Sequence, residues 1–292
     1  MNAADAILQL IFLIGLRSRL CVVQLLTKPV FKIFASKIFQ NRLSCKQYKI
    51  IEKGASVVKK ALGILGGMGP LATANFMTQV VESTEAQKDQ DHLRIYVDCN
   101  SQIPARLPPL MGTAGDDPSP AMCESIKKLE SIGAEIIAMP CVTAHAFYNK
   151  IIGAASVPFL YMPEIVAKAC LNNFPKKTAG VLSTVGTAKF RILLDPMGEL
   201  NVPCIEPSAA EQDEINRLID EVKVGGDMTK TAADFSKVLD AMIERGVDYF
   251  VLGCTELPII GNYCNEKYVL VDTTLELARA AVAACGGTVK NG

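Results

Sequence analysis

Short apolar runs alternate with longer amphipathic segments from Lys60 onward, which predicts a succession of strands and helices. The apolar runs predict buried strands at 61–65, 93–98, 135–139, 178–182 and 248–252. The amphipathic segments predict helices at 70–85, 121–132, 143–152, 211–223 and 230–245. Strands that alternate with helices of this length are typical of βαβ units around a parallel sheet. The pattern therefore predicts an α/β fold.

Two segments about 113 residues apart repeat one pattern. GAEIIAMPCVTAH at 133–145 and GVDYFVLGCTELP at 246–258 each contain a glycine, an acidic residue, an apolar strand and then a cysteine. The strand starts LGILGGMG and AGVLSTVG also match. Internal similarity of this length indicates duplication rather than a solenoid, and hence two similar domains that face each other. We place them at 61–160 and 161–270, with a C-terminal helix at 271–292 that packs back on the first domain.

Residues 1–60 differ from the rest in charge, with eleven Lys and Arg against two Asp and Glu. Their apolar run at 7–16 is too short for a membrane span, which needs about 20 residues. The segment indicates an organellar presequence, a membrane-surface stretch or a poorly ordered extension without a role. We otherwise expect a cytoplasmic protein that contacts a membrane only if the extension is retained. The net-acidic remainder argues against a nucleic-acid partner.

Ten cysteines are spaced irregularly, without a C-x-x-C pair, which fits neither a zinc knuckle nor a disulfide scaffold. Two of them, Cys141 and Cys254, each follow a predicted strand and precede a predicted helix start. Ligands collect beyond the carboxyl ends of parallel strands, and a helix start favours a thiolate. If the two domains face each other, one thiol lies on each side of the cleft, as stereoinversion at one carbon requires. The alternative is that each cysteine packs as a small buried hydrophobe.

Five blocks together resemble the aspartate/glutamate racemase family over about residues 61–285: GILGGMGPLAT, NSQIPAR, MPCVTAH, GVLSTVGTAKF and VLGCTELP. The resemblance implies two Rossmann-like domains with parallel sheets and an interdomain active-site cleft. It also implies a homodimer, no pyridoxal phosphate or other cofactor, and no metal. It assigns Cys141 and Cys254 as catalytic thiols in two-base 1,1-proton transfer on aspartate or glutamate. Glu256 is similar to the aspartate-type branch, because glutamate racemases usually carry His there.

Val142 departs from the family, which usually has Asn at this position to help hold the backbone groups of the substrate. Valine has no side-chain hydrogen bond to offer. One alternative is therefore a catalytically silent homologue that binds a ligand. Another is a different reaction of the superfamily, such as hydantoin racemisation, maleate isomerisation or malonate decarboxylation.

Further residues are predicted to hold the substrate. Arg106 and Lys189 are candidates for gripping its carboxylates, although a solvated loop arginine and a surface lysine are the alternatives. Thr143 and Thr255 offer hydroxyl and backbone N–H groups, or are merely helix caps. The glycine-rich turn around Met68 allows a ligand to approach the backbone closely, but it does not match the nucleotide motif G-x-G-x-x-G.

His145 lies four residues after Cys141. It is predicted either to tune that thiol or to make a structural hydrogen bond near the turn, and the structural role is the preferred interpretation. A Cys-His hydrolase would leave the matched Cys254 unexplained.

Overall fold

The structure is a computed structural model that describes residues 59–290, so the predicted extension at 1–60 lies almost entirely outside the described residues. The described residues form two four-stranded sheets in which all strand pairs are parallel. The first sheet contains β1 (Leu62–Gly66), β2 (Ile95–Cys99), β3 (Ile136–Ala138) and β4 (Phe159–Leu160). The second contains β5 (Ala179–Ser183), β6 (Cys204–Ile205), β7 (Tyr249–Gly253) and β8 (Leu270–Asp272).

The two sheets have equivalent strand orders, β2-β1-β3-β4 and β6-β5-β7-β8. This equivalence confirms the predicted α/β fold with two similar halves. The central strands β1, β5 and β7 are buried along their whole length, which explains their unbroken apolar runs. The short strands β4, β6 and β8 were not predicted, because two or three residues carry too little periodicity to identify a strand.

The helices connect the strands in the order expected of βαβ units. They are α1 (Pro70–Glu82), α2 (Leu107–Met111), α3 (Ser119–Ser131), α4 (Tyr148–Ile151), α5 (Met162–Asn173), α6 (Val185–Lys189), α7 (Leu194–Glu199), α8 (Ala209–Lys223), α9 (Met228–Glu244), α10 (Leu257–Gly261) and α11 (Thr273–Ala284). Helix α8 begins with a capping box, in which Ser208 and Glu211 satisfy each other's backbone N–H groups. The single helix predicted at 143–152 is wrong in its details. A 3-10 helix at Thr143–Phe147 precedes α4, and a second 3-10 turn follows at Ile152–Ala154.

Helices α5 and α11 share one hydrophobic core with both sheets. Leu62 of β1, Val181 of β5, Val166 of α5 and Ala278 of α11 are buried members of the same cluster. Helix α11 also contacts α1, α5 and β3. Because α11 also contacts β7 and β8, it packs on both halves, which are joined through a common core around these helices. Within residues 59–290, no helix is long and apolar enough to cross a membrane.

Candidate active site

The loops that follow the strands of both sheets line one cavity of about 470 Å³. Cys141, which follows β3, and Cys254, which follows β7, both line it. The cavity is thus built from both sheets, with one of the two predicted thiols supplied by each. Met68, Arg106, Val142, Thr143, Thr255 and Glu256 line the same cavity.

Cys141 is buried in the turn after β3, with 9% of its surface exposed. Burial raises the pKa of its thiol, because the protein around the sulfur disfavours the charged form. The positive charge of Arg106 and a hydrogen bond from the backbone N–H of Ala144 oppose this rise. The carboxylate of Glu256 adds to it.

Cys254 makes a direct hydrogen bond to Glu256. Its Sγ donates to Oε2 of Glu256 at 2.9 Å, and Oγ1 of Thr255 donates to the same oxygen at 3.0 Å. Cys254 keeps part of its surface exposed, but desolvation and then the charge of Glu256 raise the pKa of its thiol well above the ordinary value. The positive charge of Lys223, which also lines the cavity, opposes this rise in the pKa of Cys254.

The backbone N–H groups that follow each cysteine favour the thiolate, as expected, but desolvation outweighs them and the net shift of the thiol pKa is upward for both cysteines. Cys141 is followed by a 3-10 helix, and α10 begins only three residues after Cys254, at Leu257. Desolvation outweighs the stabilising groups at each sulfur and therefore favours the neutral thiol at both positions.

Two cationic side chains line the cavity. Arg106 precedes α2, where its guanidinium donates to the carbonyl oxygens of Pro104 at 3.1 Å and Met68 at 3.5 Å. None of the ion pairs found among residues 59–290 involves Arg106. The other cation is Lys223, the last residue of α8, which bonds to Asp220 at 3.0 Å.

Lys189, the second cation predicted from the sequence, does not line the cavity. It is exposed at the end of α6, and Lys223 occupies the cavity instead. Burial opposes the charge of Lys223, but the hydrogen bond to Asp220 and the negative charges of Asp220 and Glu256 bring its pKa above the ordinary value. Helix α8 ends at residue 223, as the sequence pattern predicts, but that pattern carries no signal for where the helix end points.

Val142 forms an apolar part of the cavity wall. Its side chain is 3% exposed and belongs to the core cluster shared by both sheets. The neighbouring Thr143 connects the two sheets through hydroxyl groups, because its Oγ1 lies 2.9 Å from that of Thr187 and 3.4 Å from that of Thr184. Thr143 is predicted from the sequence only as a substrate-binding or capping residue, and its contact with Thr187 is not predicted.

His145 makes a structural hydrogen bond, as preferred from the sequence. Its Nε2 bonds to the carbonyl oxygen of Met139 at 3.2 Å, and its ring packs edge-on against Tyr161. The side chain is 3% exposed, and burial lowers its pKa to about 4. His145 lines a second cavity instead of the one that holds the two thiols. The residue is therefore a neutral part of the core.

Comparisons with known proteins agree with this architecture. The family model for Asp/Glu/Hydantoin racemase matches residues 65–281. The broad-specificity amino-acid racemase RacX of Bacillus subtilis is 29% identical over 228 residues, which cover 76% of this chain and 96% of that protein.

Solved structures include similar chains. The aspartate racemase of Picrophilus torridus superimposes with a TM-score of 0.69 at 31% identity, covering 79% of this chain and 96% of that one. An aspartate racemase homologue from Pyrococcus horikoshii OT3 has the same fold, with a TM-score of 0.65 at 21% identity, over 78% of this chain and 99% of that chain.

Proposed function

Because the chain belongs to the Asp/Glu/Hydantoin racemase family and is an isomerase that acts on amino acids, we propose that it racemises aspartate, or less favourably glutamate, with Cys141 and Cys254 as its two proton-transfer groups. The observation that carries this proposal is that both thiols line one cavity, one supplied by each sheet. Two thiols on the wall of one cavity are the arrangement that proton transfer on opposite faces of a single stereocentre requires.

The charged groups of the cavity support an acidic amino acid as the substrate. Arg106 and Lys223 are cations, and Glu256 is the anion. An aspartate zwitterion carries two carboxylates and one ammonium group, so each of its charges finds an opposite partner. In this arrangement one carboxylate binds Arg106 and the other binds Lys223. The name of the Picrophilus torridus relative also favours aspartate, whereas that of the Bacillus subtilis relative indicates a broader range.

Glu256 is positioned to prepare Cys254 for proton transfer. The Cys254 thiol donates to Oε2 of Glu256, and the charge of this carboxylate favours the protonated form of the thiol, so Cys254 is the proton donor. Cys141, whose thiolate is stabilised by the charge of Arg106, takes the α-proton of the substrate from one face while Cys254 delivers its thiol proton to the opposite face. This leaves Cys141 as a thiol and Cys254 as a thiolate, which is the protonation state that starts the reverse reaction.

Removing an α-proton requires strong stabilisation of the negative charge that develops on the substrate. Arg106 and the hydroxyl group of Thr143 are preorganised donors in the cavity wall. The apolar surface of Val142 excludes water from the same region, which strengthens these interactions. The rise in both thiol pKa values is compatible with this role, because a more basic thiolate is a stronger acceptor for a weakly acidic C–H proton.

The test is to incubate the purified full-length protein with L-aspartate in deuterium oxide. We expect D-aspartate to form with deuterium at the α-carbon, and Cys141→Ser and Cys254→Ser each to abolish inversion. Cys264→Ser is the matched control, because Cys264 is also half-buried and free but does not line the cavity. A fully active Cys254→Ser protein would refute the two-base assignment. Binding without any exchange would instead identify a catalytically silent homologue, which is the alternative that Val142 suggests.

A further inference from the structure

Three threonine hydroxyls form a closed group where the two sheets meet beside the cavity. Thr143 follows β3, while Thr184 and Thr187 follow β5. Their Oγ1 atoms are 2.9 Å apart for Thr143 and Thr187, 3.1 Å for Thr184 and Thr187, and 3.4 Å for Thr143 and Thr184. Thr143 and Thr184 line the cavity, whereas Thr187 is 1% exposed and does not.

The donors and acceptors in this group can be counted. The backbone N–H of Thr187 donates to Oγ1 of Thr184 at 3.3 Å, which caps α6. The hydroxyl of Thr184 in turn donates to Oγ1 of Thr187. A threonine hydroxyl has one proton, so the proton of Thr187 is directed to its remaining neighbour, Oγ1 of Thr143. The short 2.9 Å separation fits this direction.

The consequence concerns the proton of Thr143. Once Thr143 accepts from Thr187, its own hydroxyl proton has two destinations: Thr184, at the longest of the three separations, or a group in the cavity. A bound carboxylate is a far stronger acceptor than a second hydroxyl, and charge-assisted hydrogen bonds are about twice as strong as neutral ones. A substrate carboxylate therefore replaces Thr184 as the acceptor of the Thr143 proton, and the 3.4 Å contact between these two hydroxyls is the one that is lost.

We propose that Thr187 is a positioning residue that makes Thr143 a committed donor to a carboxylate of the bound amino acid. The chain of bonds begins at a backbone N–H, runs through Thr184 and Thr187, and ends at Thr143. Successive hydrogen bonds of one direction polarise each other, which strengthens the last donor. Because the chain crosses from the second sheet to the first, it also holds the turn of Cys141 in place relative to the second sheet.

This inference rests on the proposed function only in assuming that the cavity binds an amino acid. Binding is measured by calorimetric titration with racemic aspartate, in which no net reaction takes place. We expect Thr187→Val, which keeps the shape but removes the hydroxyl, to weaken binding by roughly three- to tenfold. Thr187→Ser, which restores the hydroxyl, should bind nearly as the wild type does. Thr187→Ala replaces the valine variant if thermal unfolding shows that valine is not tolerated.

A double-mutant cycle separates positioning from a merely structural role. If Thr187 acts through Thr143, then Thr187→Val has no further effect on binding in a Thr143→Val protein. Wild-type binding by Thr187→Val, or an undiminished loss in the Thr143→Val background, overturns the proposal. A protein that shows this coupling but exchanges no α-proton refutes the racemase function and leaves the role of Thr187 intact. If racemic aspartate does not bind to the wild type, both proposals are wrong for this substrate.

Discussion

His145 allows a quantitative test of how the core responds to acid. Burial holds its pKa at about 4 in the folded protein, against an ordinary value of 6.5. The unfolded chain therefore binds a proton between these pH values while the folded chain does not. The contribution of His145 to the free energy of unfolding is therefore fully present above pH 6.5 and is lost as the pH falls toward 4.

The size of this effect follows from the two pKa values. Each unit of pKa difference corresponds to about 1.4 kcal/mol, so the whole difference is worth about 3 kcal/mol. Between pH 7.5 and pH 5, linkage predicts a loss of roughly 2 kcal/mol in the free energy of unfolding from this residue alone. For a typical domain, a loss of this size is a substantial part of the total stability.

The perturbation is His145→Gln, because the glutamine amide offers an N–H to the carbonyl oxygen of Met139 but does not titrate. Urea unfolding at pH 7.5 and pH 5 measures the free energy of unfolding of each protein. We expect the wild type to lose about 2 kcal/mol more than the variant over this interval. His92→Gln, at the half-buried second histidine, is the comparison for the loss of an imidazole as such.

An equal pH dependence in the wild type and His145→Gln would refute the reasoning, because His145 would then titrate alike in the folded and unfolded chains. The same variant should racemise at close to the wild-type rate. A large loss of activity at full stability would instead support the alternative role of His145, which is to tune the thiol of Cys141.

Three further outcomes are expected. Glu256→Gln removes the charge and the hydrogen bond that raise the pKa of Cys254. The rise of kcat/KM with pH, measured between pH 6 and pH 10, should therefore move to lower pH while kcat falls. A pH profile that does not move would contradict the pairing of Cys254 with Glu256. In steady-state kinetics, Lys223→Met should raise the KM for aspartate roughly tenfold or more. Lys189→Met, at an exposed lysine, should change this KM by less than about twofold. The reverse order would show that Lys189, and not Lys223, binds the substrate. Val142→Asn should lower the free energy of unfolding in urea by about 1–3 kcal/mol, because the asparagine amide enters an apolar wall. Bound aspartate should recover part of this loss. An unchanged free energy of unfolding without aspartate would show that the wall accommodates polar atoms.

The assignment of cations shows where sequence reasoning about the site failed. Lys189 lies just inside a helix predicted to start at 186–187, Lys223 ends the helix predicted at 211–223, and both are ordinary lysines in the sequence. Helical periodicity determines which face of α8 is buried, but not which helix end points toward the strand ends of the sheets. That direction follows from the packing of α8 on β5, and it places Lys223 in the cavity.

The thiol pKa values show a second limit of the same kind. A cysteine near a predicted helix start suggested a stabilised thiolate, because the local backbone is all that the sequence shows. Desolvation of Cys141 and Cys254 depends on residues from distant parts of the chain, and it reverses the expected direction. The link between Thr143 and Thr187 was missed for the same reason, since 44 positions separate them.

The sequence alone determined the two-fold repeat of parallel strands and the placement of one cysteine after a strand in each half, because strand burial and turn chemistry are short-range and leave a periodic pattern. Only the tertiary structure decided that both thiols share a cavity with Arg106, Lys223 and Glu256, and that a buried threonine supports its wall. These groups come together because α5 and α11 join the two sheets in one core. Contacts of that range leave no local pattern in the chain.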